Sequence, residues 1–139
     1  MSRSEFWGVR DMPVPNRATV LVVDDDEGVR DLISFLLGRA GYRCLTAADG
    51  PQALTALAET RPDLVVLDMV MPGLDGVGVC TRIQADAATA GVPVVMMSGR
   101  ASKAEIASAF ASGAVEYVDK PVHPGELVSL LRLLLPATV

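Results

Sequence analysis

The chain has 139 residues, half of them hydrophobic but only 4% aromatic, with 12 basic and 17 acidic side chains. That length suits one domain with a real core and is too short for two full catalytic domains. The formal net charge of −5 argues against electrostatic binding of nucleic acid or an anionic membrane.

Residues 1–17 mix charges with Gly8, Pro13 and Pro15 and hold the aromatic pair Phe6 and Trp7, a pattern expected of a flexible N-terminal arm. No long apolar segment marks a secretory signal there, and no run anywhere nears the roughly 18–20 apolar residues of a membrane span. Beyond the arm, short β-branched runs alternate with helical patterns. Strands are predicted at Thr19–Val23, Arg43–Ala47, Leu64–Leu67, Val92–Met97 and Val115–Val118. Val29, Leu32, Ile33, Leu36, Leu37 and Ala40 form the stripe of a first helix, closed by Gly41 as a left-handed cap. Pro51 suits the first turn of a second helix, with Ala53, Leu54, Leu57 and Ala58 on its stripe. A third helix is expected from Leu74 or Asp75 to about Ala85. Ser102 and Glu105 have capping-box spacing for a fourth, and Pro124 opens a fifth with Leu127, Leu130, Leu131 and Leu134 on one face. Strands and helices in strict alternation imply an α/β fold with a doubly wound parallel sheet and right-handed crossovers. The fifth helix reaches nearly to the end of the chain, so no second folded domain is expected after it.

In such sheets chemistry gathers at the carboxyl ends of the strands. Asp24, Asp25 and Asp26 follow the first strand, Asp68 the third, Ser98 the fourth, and Lys120 precedes Pro121 after the fifth. Several carboxylates on one small rim repel one another and raise each other's pKa values. The arrangement makes sense with a bound cation, and hard oxygen ligands suit Mg²⁺, which keeps sites for water and phosphate. A hydroxyl and a lysine ammonium beside that cation make a phosphoryl site, with Asp68 as nucleophile. Two cysteines, Cys44 and Cys80, lack metal-ligand spacing and fit reduced packing residues of a cytoplasmic protein. The one histidine, His123, excludes a multi-histidine metal site and reads as a cap or surface residue. The methionines Met69, Met71, Met96 and Met97 read as core filler.

These residues resemble the receiver domain of two-component response regulators, chemotaxis regulators among them. The resemblance rests on V-V-D-D-D with Arg30 five residues after Asp25, L-D-M-V-M-P-G-L-D-G around Asp68, V-V-M-M-S-G ending at Ser98, and Y-V-D-K-P around Lys120. It covers about residues 18–136 and places a receiver domain at 18–137. It implies a flavodoxin-like five-stranded sheet in the order 2-1-3-4-5 with five helices. It also implies that Asp68 takes a phosphoryl group from a histidine kinase or histidine phosphotransfer protein. Asp25 matches the direct Mg²⁺ ligand, Asp24 the acid acting through a metal-bound water, and the Val70 carbonyl a further ligand. Ser98 matches the switch hydroxyl, Lys120 the lysine, Tyr117 the aromatic switch, and Lys120–Pro121 a cis peptide. By spacing to Arg30 the acidic pair is Asp24 and Asp25, which leaves Asp26 to start the first helix.

Val70 is apolar where a polar side chain would orient attacking water, and Arg100 is placed to lie over the phosphoryl group, so slow loss of that group is expected. The apolar surplus of the fifth helix, Val128, Leu133 and Leu135, has two readings of equal weight: cover by the arm or tail, or a face of helix 4, strand 5 and helix 5 for a homodimer or a downstream protein. Direct nucleic-acid and membrane partners are not expected. An alternative is a receiver-like interaction module that acts without phosphorylation, although such modules typically lack a site residue and this chain has them all. A phosphatase resembling the haloacid dehalogenases would need a second acid two residues after the nucleophile, where Val70 stands. A dinucleotide-binding domain would need G-x-G-x-x-G after the first strand, which is missing.

Overall fold

The computed structural model describes residues 17–135. The arm expected at residues 1–17 falls outside them except for Arg17. Five strands alternate with five helices: β1 (Thr19–Val23), α1 (Glu27–Arg39), β2 (Arg43–Ala47), α2 (Gly50–Thr60), β3 (Leu64–Asp68), α3 (Gly76–Ala85), β4 (Val94–Ser98), α4 (Lys103–Ala111), β5 (Glu116–Asp119) and α5 (Pro124–Leu134). All pairings are parallel and the order across the sheet is β2-β1-β3-β4-β5, as the family resemblance implies.

The aliphatic excess is explained by two-sided burial. Strands β3 and β4 are buried along their whole lengths, and β1 along all but its first residue. One face of the sheet (Leu21, Val65, Leu67, Val94, Met96) packs on Ala53 and Leu57 of α2, Val79, Cys80 and Ile83 of α3, and Ala109 of α4. The other face (Val20, Val22, Leu64, Val66, Val95, Met97) packs on Ile33 and Leu37 of α1 and on Leu127 and Leu131 of α5. Each fully buried Val, Leu, Ile or Met side chain among these contributes about 1.5–3 kcal/mol.

The helices start where short polar side chains satisfy the first free N–H groups, each such cap being worth about 1 kcal/mol. Asp26 accepts from Val29 N, Asp49 from Gln52 N and Asp75 from Gly78 N, while Ser102 and Glu105 close a reciprocal capping box. His123 holds the equivalent position before α5 but caps nothing with its ring, since Pro124 already presets the first turn. Gly41 closes the turn after α1 at φ 103°.

Some predicted limits shift. Strand β4 begins at Val94 rather than Val92, because Pro93 has no N–H for the ladder and Val92 N turns back to Thr89 O. Strand β3 runs one residue further than predicted, with Asp68 paired beside Met97. Strand β5 is Glu116–Asp119 rather than Val115–Val118. Leu32 and Ala58, placed on buried stripes by periodicity, are exposed at the margins of α1 and α2.

Candidate functional site

The carboxyl ends of the three central strands bring Asp24, Asp68 and Ser98 together as the buried polar residues among those described. Asp24 follows β1 directly and is fully enclosed. Its Oδ1 accepts from Asp26 N at 2.9 Å, and its carbonyl accepts from Arg30 Nη1 at 2.9 Å. That explains the spacing to Arg30: one turn into α1, the guanidinium reaches back and fixes the acidic loop. Asp24 therefore points inward, Asp25 is exposed at the mouth, and Asp26 serves the helix.

Asp68 ends β3 at 3% exposure, with Val70 N donating to its Oδ1 at 3.2 Å. Its main chain is held closely by α3, since Gly76 N donates to Met69 O at 3.0 Å. A side chain at Gly76 would place Cβ 2.4 Å from the Asp68 carbonyl oxygen, so only glycine permits this approach.

Lys120 reaches in from the loop after β5. Its Nζ lies 2.7 Å from Asp24 Oδ2 and 3.3 Å from Asp68 Oδ1. The Lys120–Pro121 bond is cis, as expected. Lys120 N donates to Ser98 O at 3.0 Å, which ties the lysine loop to the end of β4. Tyr117 lies half-buried on β5, and its hydroxyl faces Asp119 Oδ1 at 2.9 Å and Ser98 O at 3.2 Å.

Two carboxylates and one ammonium leave this cluster short of positive charge. Burial, and then the Asp24 carboxylate, push Asp68 up to about 6 despite the opposing pull of Lys120 and the Val70 N–H. Burial lowers Lys120, but the adjoining Asp24 and Asp68 outweigh it, so the ammonium is held above the usual lysine value. One carboxylate oxygen from each of Asp24, Asp25 and Asp68 falls within a set spanning 4.8 Å. This all-oxygen donor set, with a buried excess of negative charge, fits a hard divalent cation.

Of the two residues expected to tune the site, Val70 stands 65% exposed beside Asp68, and Arg100 is exposed in the loop from β4 to α4. A cavity of about 330 Å³ opens beside Val70, lined by Met69, Met71, Asp75, Val77, Glu105 and Ser108. Sequence reasoning overlooked Asp119, the acceptor facing the Tyr117 hydroxyl. The signal was available, because residues two apart on a strand share a face.

The response regulator receiver domain model matches residues 20–132. This chain belongs to that family. It is 41% identical over 116 residues to the DNA-binding response regulator MtrA of Mycolicibacterium smegmatis, a match covering 84% of this chain and 50% of that protein. It is 34% identical over 120 residues to the phosphate regulon transcriptional regulatory protein PhoB of Pseudomonas aeruginosa, covering 86% and 52% respectively. Among solved structures, the chemotaxis protein CheY4 of Vibrio cholerae superposes with TM-score 0.82 at 31% identity, covering 86% of this chain and 99% of that one. A putative response regulator from Chloroflexus aurantiacus gives TM-score 0.83 at 32% identity, covering 88% and 100%.

The receiver chain spans about half the length of the curated relatives it matches. This corrects one expectation. The net charge of −5 was taken to exclude nucleic acid as a direct partner, yet relatives at this similarity are named DNA-binding regulators. The charge describes a stretch matching half of such proteins and carries no information about the other half. No helix among the described residues is long and apolar enough to cross a membrane. Cys44 and Cys80 are both free thiols, pushed above the ordinary value by burial.

Proposed function

We propose that the chain is the phosphoacceptor of a cytoplasmic two-component or phosphorelay system, with Asp68 taking a phosphoryl group from a phosphohistidine on a histidine kinase or phosphotransfer protein. The observation that carries this is the Lys120 ammonium seated between Asp24 and Asp68, beside Asp25, at the carboxyl edge of the sheet. An interaction module with no phosphoryl chemistry would gain nothing from burying two carboxylates around one lysine, at a desolvation cost of several kcal/mol per ion.

Asp24, Asp25, Asp68 and the Val70 carbonyl would hold Mg²⁺. When bound, it supplies Lewis-acid neutralisation of phosphoryl oxygens. The chain's own residues do the rest. Val70 N and Lys120 both meet Asp68 at Oδ1, leaving Oδ2 without a donor among the described residues and open for in-line attack. A new oxygen–phosphorus bond forms as the phosphorus–nitrogen bond breaks, and the electron pair leaves with the imidazole. Lys120 offsets charge on the equatorial oxygens, and the Ser98 hydroxyl moves to donate to one of them. Tyr117 follows Ser98, altering the face of α4, β5 and α5 that a second copy or a downstream protein reads. Val70 offers water no polar guide and Arg100 covers the group, so the acyl phosphate is lost slowly. The names of the relatives point to control of a DNA-binding output.

Incubation with Mg²⁺ and acetyl phosphate, followed by intact mass, tests this function. The chain gains one phosphoryl mass, and Asp68→Asn gains none. No gain from either acetyl phosphate or a phosphorylated kinase would favour the phosphorylation-independent module instead.

A further inference from the structure

The contacts of Tyr117 point beyond that function to Asp119. Tyr117 and Asp119 sit two apart on β5, so both side chains leave the same face of the sheet. Asp119 is also the residue paired in register with Ser98 across β4 and β5. The Tyr117 hydroxyl has a single proton and two acceptors, Asp119 Oδ1 at 2.9 Å and Ser98 O at 3.2 Å. The charged acceptor is the nearer, and it fixes where the hydroxyl sits. Ser98 O takes Lys120 N at 3.0 Å, so the main chain of the switch residue is tied to the loop after β5 whichever acceptor the hydroxyl proton favours.

We infer that Asp119 is a positioning residue whose carboxylate holds the Tyr117 hydroxyl at the half-exposed edge of β5 and so restrains the turn of Tyr117 that accompanies movement of Ser98 toward a phosphoryl group. This rests on the phosphoacceptor function proposed above and adds a restraint to it. Any contact made more strongly in one arrangement than in another biases the equilibrium toward the first. Removing the Asp119 carboxylate therefore makes the switched arrangement easier to reach, and the phosphoryl site should bind its ligand more tightly.

Beryllofluoride with Mg²⁺, a phosphoryl mimic that binds the acceptor carboxylate, is the probe. Its affinity is measured by calorimetry on the whole chain and on Asp119→Ala, Asp119→Asn, Tyr117→Phe and the Asp119→Ala/Tyr117→Phe double variant. Asp119→Ala is expected to tighten binding about threefold to tenfold, the range for one partly exposed hydrogen bond to a charged group. Asp119→Asn keeps a carbonyl acceptor and is expected to return most of the way to the parent. In the Tyr117→Phe background, Asp119→Ala should change nothing, because the hydroxyl through which it acts is gone. Unchanged or weaker binding by Asp119→Ala, or an equal effect in both backgrounds, overturns the inference. If the parent binds no beryllofluoride, the function above fails and takes this inference with it. Binding by the parent without the Asp119 effect removes this inference alone.

Discussion

At the carboxyl edge of the sheet, two adjoining groups of side chains are held in different ways. Asp24, Asp68 and Lys120 are fixed by opposite charges with little access to water, so their positions are set before any ligand arrives. Tyr117 and Asp119 lie on the half-exposed edge strand, where water competes for both, and the Tyr117 hydroxyl reaches from there to the main-chain oxygen of the buried Ser98. The contrast separates chemistry from signalling. Charges buried together resist displacement and suit a preorganised phosphoryl site. A hydroxyl shared between two acceptors at the surface is cheap to move and suits a switch.

The largest effects should come from breaking the buried group. Lys120→Met removes the ammonium between two enclosed carboxylates, and phosphorylation by acetyl phosphate should slow about a hundredfold. The same variant should lose stability when Mg²⁺ is chelated and regain much of it on adding the metal, read as the thermal midpoint. A midpoint indifferent to both would mean that the carboxylates are not electrostatically loaded.

A smaller effect follows from the Asp68 carboxyl, held at about 6 against roughly 3.9 for an unfolded aspartate. Because the folded value is the higher one, Asp68 favours the fold below the unfolded value, and that contribution is lost as pH rises through about 6. Metal-free protein should therefore lose more thermal stability between pH 5 and pH 7 than Asp68→Asn does, as about 6 falls inside that interval. Saturating Mg²⁺ should flatten the difference. Equal slopes for parent and variant would contradict the raised value.

Next in size is the exposed margin of the site. Replacing Val70 with Asn should speed loss of the phosphoryl group about tenfold by giving water a polar guide. The parent should keep the group for minutes or longer, followed by intact mass after donor removal. A parent half-life of seconds would remove the tuning role of Val70 and Arg100.

Most of the fold was legible because each level agreed with the next. Aliphatic runs marked the strands, Asp26 and Ser102 marked helix starts, and Gly41 and Pro124 marked a stop and a start. The errors lie where a local pattern cannot see its neighbours. Periodicity put Leu32 on the buried stripe, but α1 turns Ile33 and Leu37 to the sheet and leaves Leu32 at the margin. At the site, Asp24, Asp68 and Lys120 were legible because strand ends converge in a doubly wound sheet. Spacing to Arg30 marked Asp24 and Asp25 as the acidic pair and left Asp26 to the helix, but it did not tell which of the pair faces inward. In the structure that is Asp24, whose carbonyl accepts from Arg30 Nη1. Asp119 was not singled out, because it entered only as one letter of the Y-V-D-K-P run around Lys120, and its contact with the Tyr117 hydroxyl depends on side-chain placement that the run does not show.

The central claim is that one carboxylate, Asp68, accepts the phosphoryl group. It is tested most directly by phosphorylating the chain with acetyl phosphate and Mg²⁺, reducing with borohydride, and mapping the product by peptide mass spectrometry. Reduction converts an aspartyl phosphate to homoserine, and the account predicts homoserine at position 68 and nowhere else. Homoserine at Asp24, Asp25 or Asp26, with position 68 unmodified, would contradict it.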